Sequence, residues 1–291
     1  MKTLIPLALI LLSIPAAMGA PPNWGHYPDR PLQLQDLVPP DGRHFSLIRD
    51  FRYVDPTGVP WVAPKDLITD GATIPMPFWS VIGGPFEALY REAAVIHDAG
   101  CCAQTKPWKD VDLMFYRAMR CSGVGWAKAN TMYFAVLVGG PHWKKLNATM
   151  PADCKIRARH GFALDTKTWK PLVSDRAADA LWQTIETREL SPTETIAVAR
   201  PFFPNGNMTD ARAKTFVANL KKKGATPDER RVITLSVIQS QRFSEQYVAS
   251  IEKWIKEAKP TLAQIELRAA HDQQGANGTF TVFPNILKRP R

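Results

Sequence analysis

Three short stretches of this 291-residue chain carry side chains able to do chemistry together. The first is Thr69-Asp70-Gly71-Ala72-Thr73-Ile74-Pro75, an acid in a tight loop. The second is Ile96-His97-Asp98, preceded by the small residues Ala93 and Ala94, and the third is Asp112-Leu113-Met114-Phe115-Tyr116. Successive helical residues project about 100° apart, so His97 and Asp98 on one helix end face different neighbours. A second helix packed antiparallel lets Asp112 hydrogen-bond one imidazole nitrogen of His97. That fixes the tautomer and leaves the other nitrogen as a base. Asp98, Asp70 and backbone carbonyls near Gly71 are hard oxygen ligands of the kind Ca²⁺ takes. Such an ion polarises an ester carbonyl while His97 activates a water.

The stretch Thr69–Pro75, then His97-Asp98, then Asp112-x-x-Phe115-Tyr116-x-x-Met119 resembles the core of bacterial and fungal secreted phospholipase A2 enzymes. That resemblance implies His97 as base and Asp112 as its orienting acid. It also implies Asp70, the Gly71 carbonyl and Asp98 as ligands of a catalytic calcium. The chain departs from that pattern in three places. Ala99-Gly100-Cys101-Cys102 follows where the phospholipases carry a Tyr, and Ala72 and Ala94 stand where a disulfide staples their calcium loop. Only 14 residues separate His97 from Asp112, a shorter link than those enzymes use. The longer stretch Phe45–Gly140 is more similar to the domain of unknown function 1353 family of phages and bacteria. Its pattern is carried by Thr69–Pro75, Phe78-Trp79, Ala94-Val95-Ile96-His97-Asp98 and Asp112-x-x-Phe115.

Helices have to hold these groups. Phe86 to His97 places Phe86, Tyr90, Ala93 and His97 on one stripe, which predicts a helix. Asp110 to Arg120 predicts a second, with Asp112, Phe115 and Met119 on one face. Trp126 to Val138 is apolar nearly all round and predicts a buried third, ended by Gly139-Gly140-Pro141. Upstream, Phe45–Val54, the turn Asp55-Pro56-Thr57-Gly58 and Val59–Val62 predict a β-hairpin. A Pro- and Gly-rich loop then spans 69–85. Phe78-Trp79, Trp126 and Tyr133 are expected in the core rather than on a lipid-contacting rim.

The expected fold is mainly α: a small N-terminal β-hairpin, a phospholipase A2-like helical core at 44–145, and a helical domain at 174–278. Residues 21–43 read as an extended leader, 146–173 as a linker and 279–291 as a basic tail with a short strand at 279–283. In the C-terminal part, Ser191-Pro192-Thr193-Glu194 and Thr226-Pro227-Asp228-Glu229 each place a cap, a first-turn Pro and an acid at the third position. Gly224 stops a helix ending in Lys221-Lys222-Lys223, where cations suit the dipole.

Lys2, the apolar run Leu4–Leu12 and Ala17-Met18-Gly19 have the layout of a secretory signal peptide occupying residues 1–20, cut near Gly19/Ala20. The run is too short to span a bilayer. An exported chain is the setting in which the four cysteines, Cys101, Cys102, Cys121 and Cys154, form disulfides. Two pairings stay open: Cys101–Cys121 with Cys102–Cys154, or the swapped arrangement. No CxxC or clustered His favours zinc. The formal charge of +10 suits anionic lipid or a cell-envelope polymer as partner. Its basic residues are scattered, so nucleic acid is not expected. His142, His160 and His271 sit in no constellation.

The leading expectation is an exported, calcium-dependent, phospholipase A2-like hydrolase acting on a lipid or related ester. A cell-wall enzyme working on peptidoglycan in the same pocket is a second reading. A non-catalytic envelope-binding module with a structural ion site is the third. A metal-dependent phosphohydrolase of the His-Asp type needs further helical His residues, and only His26 and His44 precede His97.

Overall fold

A helix that is apolar on every face has to be enclosed on every side, and Trp126–Gly139 is such a helix. The computed structural model describes residues 22–36, 45–69, 76–78, 82, 89–151, 154, 164–165, 170–171, 173–203 and 208–275. Helix α1 (Arg91–Ala103) is joined by residues 104–107 to α2 (Trp108–Cys121), which packs on both α1 and α3 (Trp126–Gly139). Every residue of α3 from Ala129 to Val138 is buried. Phe78 and Tyr133 lie in this core, as expected, while Trp126 packs half-buried against it and Trp79 lies outside the described residues.

Helix α1 runs later than the sequence predicts. Leu89 and Tyr90 form a turn, the helix starts at Arg91 and it continues past His97 through Gly100, Cys101 and Cys102; residues 86–88 lie outside the described set. His97 and Asp98 therefore sit inside the helix rather than at its end. The extension depends on close packing. A Cβ built on Gly100 would lie 2.8 Å from Val111 Cγ1, so the missing side chain is what lets α2 lie against α1 there. Gln104 ends the helix in the left-handed conformation, its N–H returning to the Gly100 carbonyl at 3.0 Å.

The sheets are small. Strands β1 (Leu34–Asp36), β2 (Phe45–Leu47) and, after the hairpin described next, β5 (Ile68–Thr69) pair antiparallel in the order β1-β2-β5. The hairpin is β3 (Phe51–Val54) with β4 (Pro60–Ala63), pairing Phe51 with Ala63 and Tyr53 with Trp61 on the buried face. Its turn is set by Asp55, whose carboxylate accepts the N–H of Thr57 at 2.8 Å and of Val59 at 3.1 Å. Gly58 supplies the positive φ of 86°. The single strand expected from Phe45 to Val54 is thus two strands in different sheets. The chain bends at 48–50, where the Asp50 carboxylate accepts the Lys65 N–H at 2.7 Å and Arg49 donates to the carbonyls of Asp29 and Pro31. Upstream, Tyr27 is buried and donates its hydroxyl to the Ala118 carbonyl at 3.0 Å, tying residues 22–36 to α2.

Downstream, α4 (Asp175–Thr187), α5 (Pro192–Ala199), α6 (Asp210–Lys223) and α7 (Pro227–Arg242) enclose their own apolar cluster, with Trp182, Ile185, Val198 and Leu220 inside. The two capping boxes form as the sequence predicts, and Gly224 ends α6 at a φ of 77°. Helices α8 (Glu245–Ala258) and α9 (Leu262–Gly275) return instead to α3, where Val248, Ile251, Ile255 and Ile265 join the first core. Tyr133 donates its hydroxyl to Glu266 at 2.7 Å across that junction. A short antiparallel pair, β6 (Leu164–Asp165) and β7 (Lys170–Pro171), lies in the stretch that reads as a linker. The fold is mainly α, as expected. Among the described residues no helix is long and apolar enough to cross a membrane.

One of the expected disulfides is present, Cys102–Cys154, and the other is not: Cys101 and Cys121 are free thiols. The continuation of α1 explains this. Neighbours on a helix project about 100° apart, so Cys102 faces residue 154 while Cys101 lies one turn after His97 on the His97 side. Cys121 donates instead to the Gly25 carbonyl at 3.3 Å.

Candidate functional site

The short 104–107 connection folds α2 back on α1, and this brings His97 opposite Asp112. Nε2 of His97 and Oδ1 of Asp112 are 2.8 Å apart, with the imidazole 0% and the carboxylate 2% exposed. With Asp112 ionised the carboxylate only accepts, so Nε2–H is the donor and Nδ1 keeps its lone pair. Phe115, one turn beyond Asp112, lies against the ring with centroids 4.7 Å apart. Burial pushes the Asp112 carboxyl above its ordinary value, against the downward pull of the His97 bond and charge. Oδ2 of Asp112 is buried and has no hydrogen-bond partner.

The other flank of α1 carries Asp98, 8% exposed, whose Oδ2 accepts the buried Thr69 hydroxyl at 2.5 Å. Thr69 ends β5 and immediately precedes Asp70, so this bond ties the start of the loop to the helix. Asp70 and Gly71 lie outside the described residues. Of the three expected calcium ligands, Asp98 alone is therefore described. Among the described residues no group of three His, Cys, Asp or Glu side chains could hold a metal. One carboxylate supplies fewer than the roughly six to eight oxygens calcium takes.

Sequence reasoning assigned Cys101 to a disulfide and missed its place here. Its Sγ lies 3.7 Å from both Nδ1 and Nε2 of His97, and the residue is 7% exposed. Burial, then the Asp112 and Asp98 carboxylates, push the thiol well above its usual range. The signal was available in the four-residue spacing, which puts Cys101 and His97 on one helical face. It was hidden by ending the helix at His97. Gly100 was equally legible as a small residue, but its role depends on Val111 in the facing helix.

His97, Asp98, Cys101 and Asp112 all fall in a segment that matches a family model. Residues 45–136 match the model of a family described as protein of unknown function (DUF1353). The matched segment runs from β2 into α3 and includes all five expected site residues. An uncharacterized protein, y4jT, of Sinorhizobium fredii (strain NBRC 101917 / NGR234) is 48% identical over 100 residues, covering 34% of this chain and 30% of the relative. A second from the same strain, y4iH, is 42% identical over 106 residues, covering 36% of this chain and 44% of the relative. The match thus spans less than half of each of these two proteins. No solved structure matches the chain.

Proposed function

We propose that this chain is an exported hydrolase of the phospholipase A2-like kind, acting on a lipid or related ester through His97 and Asp112. The observation that carries the reading is the 2.8 Å bond between His97 Nε2 and Asp112 Oδ1, made across two packed helices inside the core. Asp112 holds the imidazole in one tautomer and stabilises the cation formed when the ring takes a proton. His97 Nδ1 removes a proton from the attacking group and later delivers it to the leaving alcohol. Calcium dependence, with Asp70, Gly71 and Asp98 as ligands, belongs to the proposal as a property to be measured. So do export with cleavage near Gly19/Ala20 and a preference for anionic lipid or a cell-envelope polymer, which the net charge of +10 supports.

The test is ester release from anionic phospholipid vesicles by the mature chain, with calcium, with chelator and with His97→Ala. A general base is worth about 10²- to 10⁴-fold, and His97→Ala is expected to lose that much. Release that survives both chelation and the substitution rejects the proposal. Parallel incubation with purified peptidoglycan tests the cell-wall substrate by the appearance of soluble fragments.

The full burial of the His97 ring favours a second reading, in which the pair is a structural polar network of an envelope-binding module. That reading expects His97→Ala to lower the melting temperature with no ester or peptidoglycan turned over by any form of the protein.

A further inference from the structure

Two segments distant in sequence meet where α1 turns into α2. Residues 104–107 link the helices, and residues 142–147, just after α3, lie against that link. Trp143 is buried and donates its indole N–H to the Lys106 carbonyl at 2.9 Å. Asn147 donates its backbone N–H to the Gln104 carbonyl at 3.0 Å and its side-chain N–H to the Ala103 carbonyl at 2.9 Å. The His142 ring stacks on Trp108, with centroids 3.8 Å apart. Between these anchors Lys144, Lys145 and Leu146 are all exposed, so they form a tip whose two ends are fixed.

The tip pairs an exposed apolar side chain with cations. Leu146 is 54% exposed. Ile48, Val62, Leu89 and Leu267 are the other exposed large apolar side chains among the described residues, and each has an Asp or Glu within four positions along the chain. Leu146 has none within six. Across the link, Lys106 and Lys109 lie over the rings of Trp61 and Trp108, at 5.0 and 5.6 Å. Neither 104–109 nor 141–151 contains an acid, and the exposed Asp110 is the first after the link. The lysine run at the end of α6 differs. There Lys221 donates to the Arg188 carbonyl at 2.8 Å and Lys223 pairs with Glu229 at 2.9 Å, so those cations are engaged within the bundle.

We infer that Lys106, Lys109, Lys144, Lys145, Trp108 and Leu146 form the face by which this chain docks on an anionic lipid bilayer. The ammonium groups meet headgroup phosphates, the half-buried Trp108 takes the boundary between headgroup and acyl chain, and Leu146 enters the apolar side. Because the tip is already pinned, docking it orders little additional backbone. The choice of a bilayer as partner rests on the lipid-acting reading above. Trp108 stands four residues, one helical turn, before Asp112 on α2, so docking here brings the lipid beside the His97–Asp112 pair.

Cosedimentation of the mature chain with phosphatidylglycerol–phosphatidylcholine vesicles tests the face, with pure phosphatidylcholine vesicles as the uncharged reference. A lysine at an anionic surface is worth about fivefold in binding, so Lys144→Gln/Lys145→Gln is expected to weaken it about 25-fold. Leu146→Ser is expected to cost about fivefold. Lys214→Gln/Lys222→Gln removes the same charge from exposed positions of α6 and is expected to stay within about twofold of the wild type. Equal losses in the two lysine pairs, or a wild type that does not bind the anionic vesicles, overturn the inference. Binding to soluble polyphosphate as strong as to vesicles, and indifferent to Leu146→Ser, makes this a polyanion site and overturns the bilayer as partner. Ester release separates the face from the hydrolase reading. Lys144→Gln/Lys145→Gln should lose release from anionic vesicles and keep it on soluble p-nitrophenyl butyrate. Patch-dependent binding with no release by the wild type from either substrate removes the hydrolase reading and leaves the docking face standing.

Discussion

The pair α1–α2 and the bundle α4–α7 solve the problem of buried polar groups in opposite ways. In the bundle each buried hydroxyl finds a carbonyl: Thr195 donates to Ser191 at 2.9 Å, Thr234 to Arg230 at 2.8 Å and Ser236 to Ala197 at 2.6 Å. Its carboxylates close capping boxes at the helix ends. Beside α1 the core encloses an imidazole, a carboxylate and a thiol. Among the described residues, buried side-chain atoms without a hydrogen-bond partner occur on α2 and α3, at Asp112 Oδ2, Arg120 Nε and Nη1 and Asn130 Oδ1, and none occurs on α4–α7. Leaving such an atom unsatisfied costs about 1–3 kcal/mol, so groups of this kind are retained where they are used. On the proposed function, the first region carries the chemistry and the second the structure.

The sharpest way to break that contrast is Asp112→Asn. The amide keeps the shape but can present a donor to the imidazole, which reverses the tautomer. On the proposed mechanism ester release falls about 10⁴-fold with little change in melting temperature. A loss of stability with no loss of turnover would move the pair to the structural side. Trp182→Ala probes the other region. Trp182 is 2% exposed inside the bundle, and its removal is expected to cost about 3–5 kcal/mol in denaturant unfolding. Below the transition, release should stay at the wild-type rate, and a parallel fall in release would show that the two regions are one functional unit.

Much of this division could be read from the chain. The capping boxes at Ser191 and Thr226 are local devices, fully specified by four residues each, and they form as expected. The meeting of His97 with Asp112 was legible because two helices on a short link have few ways to pack. What stayed hidden depends on contacts distant in sequence. The close approach of α2 to the extended α1 is set by Val111 against Gly100, and the break at 48–50 by Lys65 reaching back to Asp50. The free state of Cys101 follows from the same extension of α1. Likewise, α8 and α9 look like their neighbours in sequence, yet they close on α3, because an all-apolar helix needs a cover that its own flanks do not provide.

Gly100→Ala turns one of those hidden contacts into an intermediate effect. The added methyl would sit 2.8 Å from Val111 Cγ1, and a β-branched side chain on a helix has little freedom to yield. Overpacking of this kind costs about 1–3 kcal/mol. The strain falls between α1 and α2, three residues from His97, so release should drop along with stability. The double variant Gly100→Ala/Val111→Ala should recover release, and failure to do so would detach the helix spacing from the site.

The smallest effect separates the regions by pH. Burial raises the Glu194 carboxyl, but the bonds from Arg188 and from Ser191 outweigh it and hold Glu194 below its ordinary value. Its contribution is therefore present above the unfolded carboxyl pKa of about 4.3 and is lost as pH falls through the lower folded value. Asp112 has the opposite sign. Burial raises it, so its contribution is present at acid pH and is lost as pH rises through the folded value. Ser191→Ala is expected to cost about 1 kcal/mol at neutral pH. Glu194→Gln should flatten the acid side of the stability profile, measured as denaturant midpoint between about pH 3 and 6. Asp112→Asn should steepen the same limb, because it removes a contribution that favours the fold as the medium is acidified. Identical profiles for the two variants would mean that neither carboxyl differs between folded and unfolded chains, and the electrostatic half of the comparison would be lost.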